Sequence, residues 1–112
     1  MSKRARLFLD FVATFARYAL HIREVIISLL LLIVLGGLVM SKIEGLKFVD
    51  SLYFAFITAL SVGYGDIHPT TTVGKLLSVG IGLIGMLFVG ITVAIANRAL
   101  ADTAKRYLKT DE

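Results

Sequence analysis

Apolar and polar positions alternate along this chain with a rhythm that changes from segment to segment. From Leu7 to Ile22, Leu7, Phe8, Phe11, Val12, Phe15 and Ala19 recur at spacings of three and four, and Arg6, Asp10, Thr14, Arg17 and His21 hold the opposite stripe. This is a helical period with two faces. Its basic residues and aromatics, beside a longer apolar run, predict an amphipathic helix within residues 1–24 that lies in a membrane interface and anchors the topology. Val25 to Ser41 is uncharged. At helical rise it covers roughly 25 Å, slightly short of a bilayer core, so a turn borrowed from the preceding helix completes the crossing. Gly36 and Gly37 near its far end allow close packing or a slight bend.

Lys42 to Lys47 reads as a polar turn punctuated by Gly45. Phe48 to Leu60 is apolar and aromatic, yet as a helix it runs only about 20 Å, the length of a re-entrant rather than a spanning segment. Asp50 or Ser51 suits the positive end of its dipole. Gly63, Gly65 and Pro69 stop the helix at Ser61. Leu76 to Ala96 is again uncharged and reaches about 31 Å, a full crossing. The predicted organisation is an N-terminal segment 1–24, a central module 25–98 with helices over 25–41, 48–60 and 75–98, and a helix-compatible tail 99–112 of mixed charge.

Composition supports a membrane location. Hydrophobic residues make up 57% of the chain and the mean hydropathy is +0.85, more apolar surface than a soluble domain of this size can bury, so the surplus faces lipid. The expected fold is therefore an all-α membrane protein. The net charge of +4 does not indicate nucleic acid, because the basic residues flank the apolar body. Lys3, Arg4, Arg6, Arg17 and Arg23 precede it, and Arg98, Lys105, Arg106 and Lys109 follow it. By the positive-inside rule both termini are cytoplasmic, which requires an even number of crossings.

Several chemistries are disfavoured. Cysteine is absent, and His21 and His68 stand apart from any partner at metal-ligand spacing. The charged N-terminal stretch lacks the short apolar core and small-residue cleavage site of a signal peptide. Its arginines do not repeat at every third position of an apolar helix as a voltage sensor requires. Gly80-Ile81-Gly82-Leu83-Ile84-Gly85 spells a dinucleotide fingerprint, but it lies inside an uncharged helical run with no strand before it. No repeat pairs the segments in the manner of a transporter.

The remaining constellation is Thr58-Ala59-Leu60-Ser61-Val62-Gly63-Tyr64-Gly65-Asp66, set between a half-membrane helix and a full-membrane helix. Irregular backbone at membrane depth is tolerated only inside protein or along a wet cavity. Glycines at alternate positions let successive carbonyls face one way, and a ring of carbonyls can replace the hydration shell of a cation. Ser61 to Gly65 resembles the potassium-channel signature T-V-G-Y-G with serine for threonine. The wider stretch from Val25 to Asn97 is similar to prokaryotic two-helix channels and to the pore modules of calcium-gated ones.

The resemblance implies a tetrameric pore with a re-entrant pore helix and a filter loop, conducting potassium passively with no catalysis and no cofactor beyond the permeant ion. Backbone carbonyls of Ser61, Val62, Gly63 and Tyr64 would bind K+, with Gly65 closing the external end and the Ser61 hydroxyl at the innermost site. Serine keeps that oxygen but lacks the methyl group that stiffens threonine, so a looser inner site is expected. Tyr53 and Asp66 would support the filter through a hydrogen bond, and the Tyr64 ring would pack against Tyr53, Phe54 and neighbouring chains. Ile57 stands where some relatives carry a glutamate behind the filter. His68 falls at the external rim.

Gly85 aligns with the family's gating-hinge glycine, with Phe88 and Gly90 nearer the inner constriction, while Gly80 and Gly82 suit packing of inner against outer helix. Ile81, Ile84, Phe88, Val89 and Thr92 are candidate pore-lining residues. The partners implied are three further copies of the chain, the lipid bilayer of the plasma membrane, and a cytoplasmic regulatory domain or subunit not contained in this chain. The alternatives are a non-selective cation channel and an auxiliary membrane subunit of a larger channel.

Overall fold

The computed structural model describes residues 2–111, with side chains from Ser2 to Leu108; Met1 and Glu112, the ends of the expected N-terminal segment and tail, lie outside the described residues. Four helices follow one another: α1 (Lys3–His21), α2 (Arg23–Glu44), α3 (Phe48–Ala59) and α4 (Thr72–Asp111). No strand occurs among the described residues.

Local chemistry sets most of the boundaries. Ser2 caps α1 by accepting the Ala5 N–H at 3.2 Å, which starts the helix ahead of the first periodic residue, Leu7. Ile22 leaves helical geometry and separates α1 from α2. At its 22 residues, α2 spans roughly 33 Å and crosses a bilayer core without a borrowed turn. It ends where Gly45 turns left-handed at φ 67°, letting the Leu46 N–H reach the Ser41 carbonyl at 3.2 Å. The 12 residues of α3 cover only about 18 Å.

Thr72 begins α4, which continues through Arg98 to Asp111 as one helix of 40 residues instead of giving way to a separate tail. No glycine or proline interrupts 91–111, and its alanines, leucines and long basic residues are strong helix formers. Two helices, Arg23–Glu44 and Thr72–Leu108, are long and apolar enough to cross a membrane.

The chain divides into two compact units, residues 25–90 and residues 1–24 with 91–112. In the first, Ile33 of α2, Ala55 and Ala59 of α3 and Ile81 of α4 form the buried cluster, flanked by Phe56, Leu77 and Ile84. Small residues bring these helices together. A Cβ on Gly36 would stand 2.8 Å from the Ile81 side chain. One on Gly37 would meet Ala55, Leu52 and the Ser51 carbonyl at 3.2–3.3 Å. One on Gly85 would collide with the backbone of Ala59.

Two sequence-based expectations are corrected here. The close approach of outer to inner helix is made by Gly36 against Ile81, whereas Gly80 and Gly82 face open space in the chain. Ile81 is 1% exposed inside this cluster and therefore does not line a pore.

In the second unit, α1 and the end of α4 run antiparallel. Asp10 bonds Tyr107, Thr14 bonds Arg106 and Tyr18 bonds Asp102, so one number rises as the other falls. The seam buries Thr14, Ala99 and Thr103. The polar stripe of α1 thus turns inward to α4, where its hydroxyls find partners, and Leu7, Phe8 and Leu20 stay exposed.

The glycine contacts make a direct prediction. Gly85→Ala forces Cβ against a backbone that cannot yield, at a cost of about 1–3 kcal/mol, more than the ~0.5–1 kcal/mol that alanine gains as a helix former. Gly82→Ala meets open space and leaves stability unchanged or raised by up to ~1 kcal/mol. Thermal unfolding of the two purified variants beside the parent checks this, and equal effects would contradict it.

Candidate functional site

The site is built where α3 stops. The Leu60 N–H still bonds the Phe56 carbonyl at 2.8 Å, and the Val62 and Gly63 N–H groups both turn back to the Ile57 carbonyl, at 2.8 and 3.2 Å. This closes the helix in the manner of a Schellman cap, whose left-handed residue is usually glycine. Here that residue is Ser61, with φ 65°. A non-glycine residue in this region costs roughly 1–2 kcal/mol, and a β-branched one is still less at ease there.

The handedness then alternates. Ser61, Gly63 and Gly65 have φ of 65°, 56° and 81°, with Val62 and Tyr64 negative between them. A backbone that reverses handedness at every residue sets its N–H groups along one edge and its carbonyls along the other. Nothing lies within 4 Å of a Cβ built on Gly63 or Gly65, so these glycines answer to backbone angle and not to crowding.

The ribbon lies open on the chain. Residues 61–66 are all exposed, Tyr64 to 73%, and its ring is not sandwiched by Tyr53 and Phe54 of the same chain. Beyond the Gly63 N–H, no backbone hydrogen bond within the chain involves the ribbon among the described residues.

Two clasps hold the segment that follows. The Tyr53 hydroxyl, from α3, donates to Asp66 Oδ2 at 3.0 Å. The second clasp starts from Glu44 at the end of α2. Its Oε1 accepts from the Thr70 N–H at 2.7 Å and the Thr70 hydroxyl at 3.1 Å, and its Oε2 accepts from the Thr71 N–H at 3.1 Å and from the Thr71 hydroxyl. Thr71 in turn caps α4, its Oγ1 accepting the Gly74 N–H at 3.0 Å.

Gly74 must be glycine for this to fit, since a Cβ there would strike the Glu44 carboxylate and Thr71 Oγ1. The first turn of α4 has no acidic residue of its own, so Glu44 supplies the negative charge that a helix N-terminus favours. Sequence reasoning missed Glu44, Thr70, Thr71 and Gly74. A threonine pair just ahead of an apolar helix hinted at a cap, but nothing in a separation of 26 or 27 residues announces a carboxylate beside it.

The sequence-predicted residues fall in two places. Tyr53, Asp66 and Ser61–Gly65 share the ribbon and its support. Gly85, Phe88 and Gly90 lie on α4, where Gly85 abuts the last turn of α3, Phe88 is half-buried and Gly90 is exposed with no neighbour near its Cα. Of the other lining candidates, Thr92 is exposed and Ile84 and Val89 are half-buried. No group of three or more metal-ligating side chains occurs among the described residues.

The Glu44 clasp is testable by amide exchange. Glu44→Gln replaces one acceptor oxygen with a donor NH2, so either Thr70 or Thr71 loses its partner. Faster hydrogen exchange at residues 70–74 is expected, together with a lower unfolding midpoint. Unchanged protection would show that the carboxylate does not hold the loop.

Comparison with known proteins agrees with this geometry. A family model described as "Ion channel" matches residues 25–102. Two-pore potassium channel 1 of Arabidopsis thaliana is 38% identical over 77 residues, covering 62% of this chain and 21% of that protein. In Methanocaldococcus jannaschii, probable potassium channel protein 2 is 37% identical over 68 residues, covering 56% of this chain and 20% of that protein. Potassium channel protein 1 of the same organism is 41% identical over 51 residues, covering 46% and 15%. The chain thus spans about a fifth or less of the length of these relatives, and no solved structure matches it. With the family match extending over most of its length, from the start of α2 past the apolar part of α4, this chain belongs to the ion channel family.

Proposed function

We propose that four copies of this chain form a potassium-selective pore that conducts K+ passively across the plasma membrane. The observation that carries this reading is the alternation of handedness at Ser61, Gly63 and Gly65. It favours a strip of carbonyls on one edge, the arrangement that a ring of subunits needs to replace the hydration shell of a cation. The exposure of residues 61–66 supports assembly, because irregular backbone at membrane depth must be covered by protein or line water. Fourfold closure gives each ion site one carbonyl layer per ring, and a symmetric ring is the usual way for identical chains to close. The names of the matched relatives, potassium channels from a plant and an archaeon, point to the same ion.

In this reading the carbonyls of Ser61, Val62, Gly63 and Tyr64 bind K+ and Gly65 closes the outer end. Tyr53 and Asp66 brace the strip from behind, and Glu44 holds the loop that returns the chain to α4. Gly85, pressed against Ala59, is the point about which the inner part of α4 swings, with the constriction at Phe88 and Gly90. The basic residues flanking the apolar body place both termini in the cytoplasm. The chain acts as a conductor and not as an enzyme, and its permeant ion is its only ligand in this role.

The test is flux through the purified protein reconstituted alone in liposomes, with potassium inside and sodium outside. A potassium-driven signal, blocked by barium and abolished in Gly63→Ala, is expected, since alanine is strained at φ 56°. Equal sodium and potassium flux would replace selectivity with a non-selective cation pore. Failure to form a tetramer would assign the chain to an auxiliary role. In Ser61→Thr, the added β-branch opposes the left-handed backbone, so altered K+ affinity is expected, and unchanged affinity would show that the inner site does not depend on this side chain.

A further inference from the structure

A cavity of about 590 Å³ opens beside the seam of α1 and the end of α4, away from the proposed filter. Arg17, Lys105 and Arg106 line it with His21, and Asp102 is its one carboxylate. Three cations against one anion leave a formal charge of +2 with His21 neutral. The carboxylate is already engaged, because the Tyr18 hydroxyl donates to Asp102 Oδ2.

Thr14, 3% exposed at the base of the cavity, organises the cations. Its Oγ1 accepts from Nη2 of Arg17 at 3.3 Å and from Nη2 of Arg106 at 2.5 Å. Two guanidinium groups are therefore drawn together on one neutral oxygen, against their mutual repulsion. Each guanidinium carries five N–H donors in a planar fork matched to phosphate oxygens, more than a threonine oxygen can absorb. Lys105 adds an exposed point charge at the rim.

We propose that this cavity binds a phosphomonoester, with Arg17 and Arg106 as the fork and Lys105 as the neutralising cation. A phosphomonoester carries about −1.5 to −2 charge near neutral pH, which complements the lining, whereas a phosphodiester or carboxylate brings only about half of that. The cavity volume falls in the range of about 300–1,000 Å³ that holds small ligands, so the phosphate comes attached to a larger group.

Two sources offer that chemistry. One is the headgroup of an anionic lipid. Arg98 ends the apolar run of α4, and residues 102–106 lie roughly 6–12 Å beyond it at helical rise, at and just past the level of the headgroups. Basic clusters at this depth attract anionic lipid. The other source is a phosphorylated metabolite in solution.

The experiment uses the full chain in phosphatidylcholine nanodiscs. Phosphatidic acid, phosphatidylglycerol or soluble glycerol 3-phosphate is titrated, and the unfolding midpoint is followed together with bound lipid counted by native mass spectrometry. Phosphatidic acid should raise the midpoint saturably, with an affinity at least about tenfold above that of phosphatidylglycerol, whose phosphodiester has a single charge. Lys105→Gln should weaken it by roughly tenfold, the loss expected for one charge-assisted contact. Lys105 is exposed and makes none of the seam's hydrogen bonds, so this variant keeps the fold even if Arg17→Gln does not.

A Lys105-dependent shift with glycerol 3-phosphate as well supports the site and opens it to soluble ligands. A shift with phosphatidic acid alone supports it and assigns the lipid source. Equal responses to phosphatidic acid and phosphatidylglycerol would overturn the proposal, as would a phosphatidic acid affinity unchanged in Lys105→Gln. Either result would reduce the cluster to a topology determinant.

Discussion

A polypeptide that leaves helical geometry partway through a bilayer exposes N–H and C=O groups that lipid cannot satisfy. That constraint organises the unit formed by residues 25–90. Only 12 residues of α3 are helical, and the Ile57 carbonyl takes up the first two amides after the turn. From Tyr64 onward the ribbon has no backbone partner in its own chain among the described residues. The structure answers with braces at its flanks: Tyr53 on Asp66, and Glu44 on Thr70 and Thr71. What remains uncovered on the ribbon itself is left for neighbouring subunits and permeant ions in the proposed pore.

Holding such a ribbon steady requires its helix to be fixed, and packing in a membrane has little hydrophobic drive to do this. Close approach of small residues substitutes for it. Gly36 receives Ile81, Gly37 receives α3, and Gly85 lies against the backbone of Ala59 immediately before the ribbon begins. Any motion of α4 at Gly85 is therefore felt at the end of α3. The tight fit leaves one buried polar atom, Ser51 Oγ, without a hydrogen-bond partner among the described residues. Ser51 lies where Gly37 and α3 touch, and its small size suits that contact more than its hydroxyl does.

The unit formed by α1 and the last turns of α4 follows a different rule. Its seam is polar, threaded by Thr14, Tyr18, Asp102 and Arg106, and the Arg98 guanidinium lies 5.9 Å from the Tyr18 ring centroid. Polar contacts with fixed partners specify register more sharply than apolar ones, since a slip of one turn would leave each hydroxyl and charge unmatched. The apolar face of α1 is the one left outside, which suits a helix whose other side meets a hydrocarbon boundary.

The sequence by itself determined the helical class, the two crossings, the half-length α3 and the ribbon from Ser61 to Gly65. These depend on local quantities: run length against bilayer thickness, glycine spacing and the placement of charge. Tertiary structure alone decided which small residue meets which helix, sending Gly36 to Ile81 and leaving Gly80 and Gly82 open, and it withdrew Ile81 from the lining. It also joined Glu44 to Thr70 and Thr71, ran α4 unbroken past Arg98, and turned the polar stripe of α1 toward α4. The physical reason is common to all of these. A hydrophobic period states that a face will be covered but not by what, and a carboxylate or hydroxyl finds its partner through the folded path of the chain, over separations that no local pattern encodes.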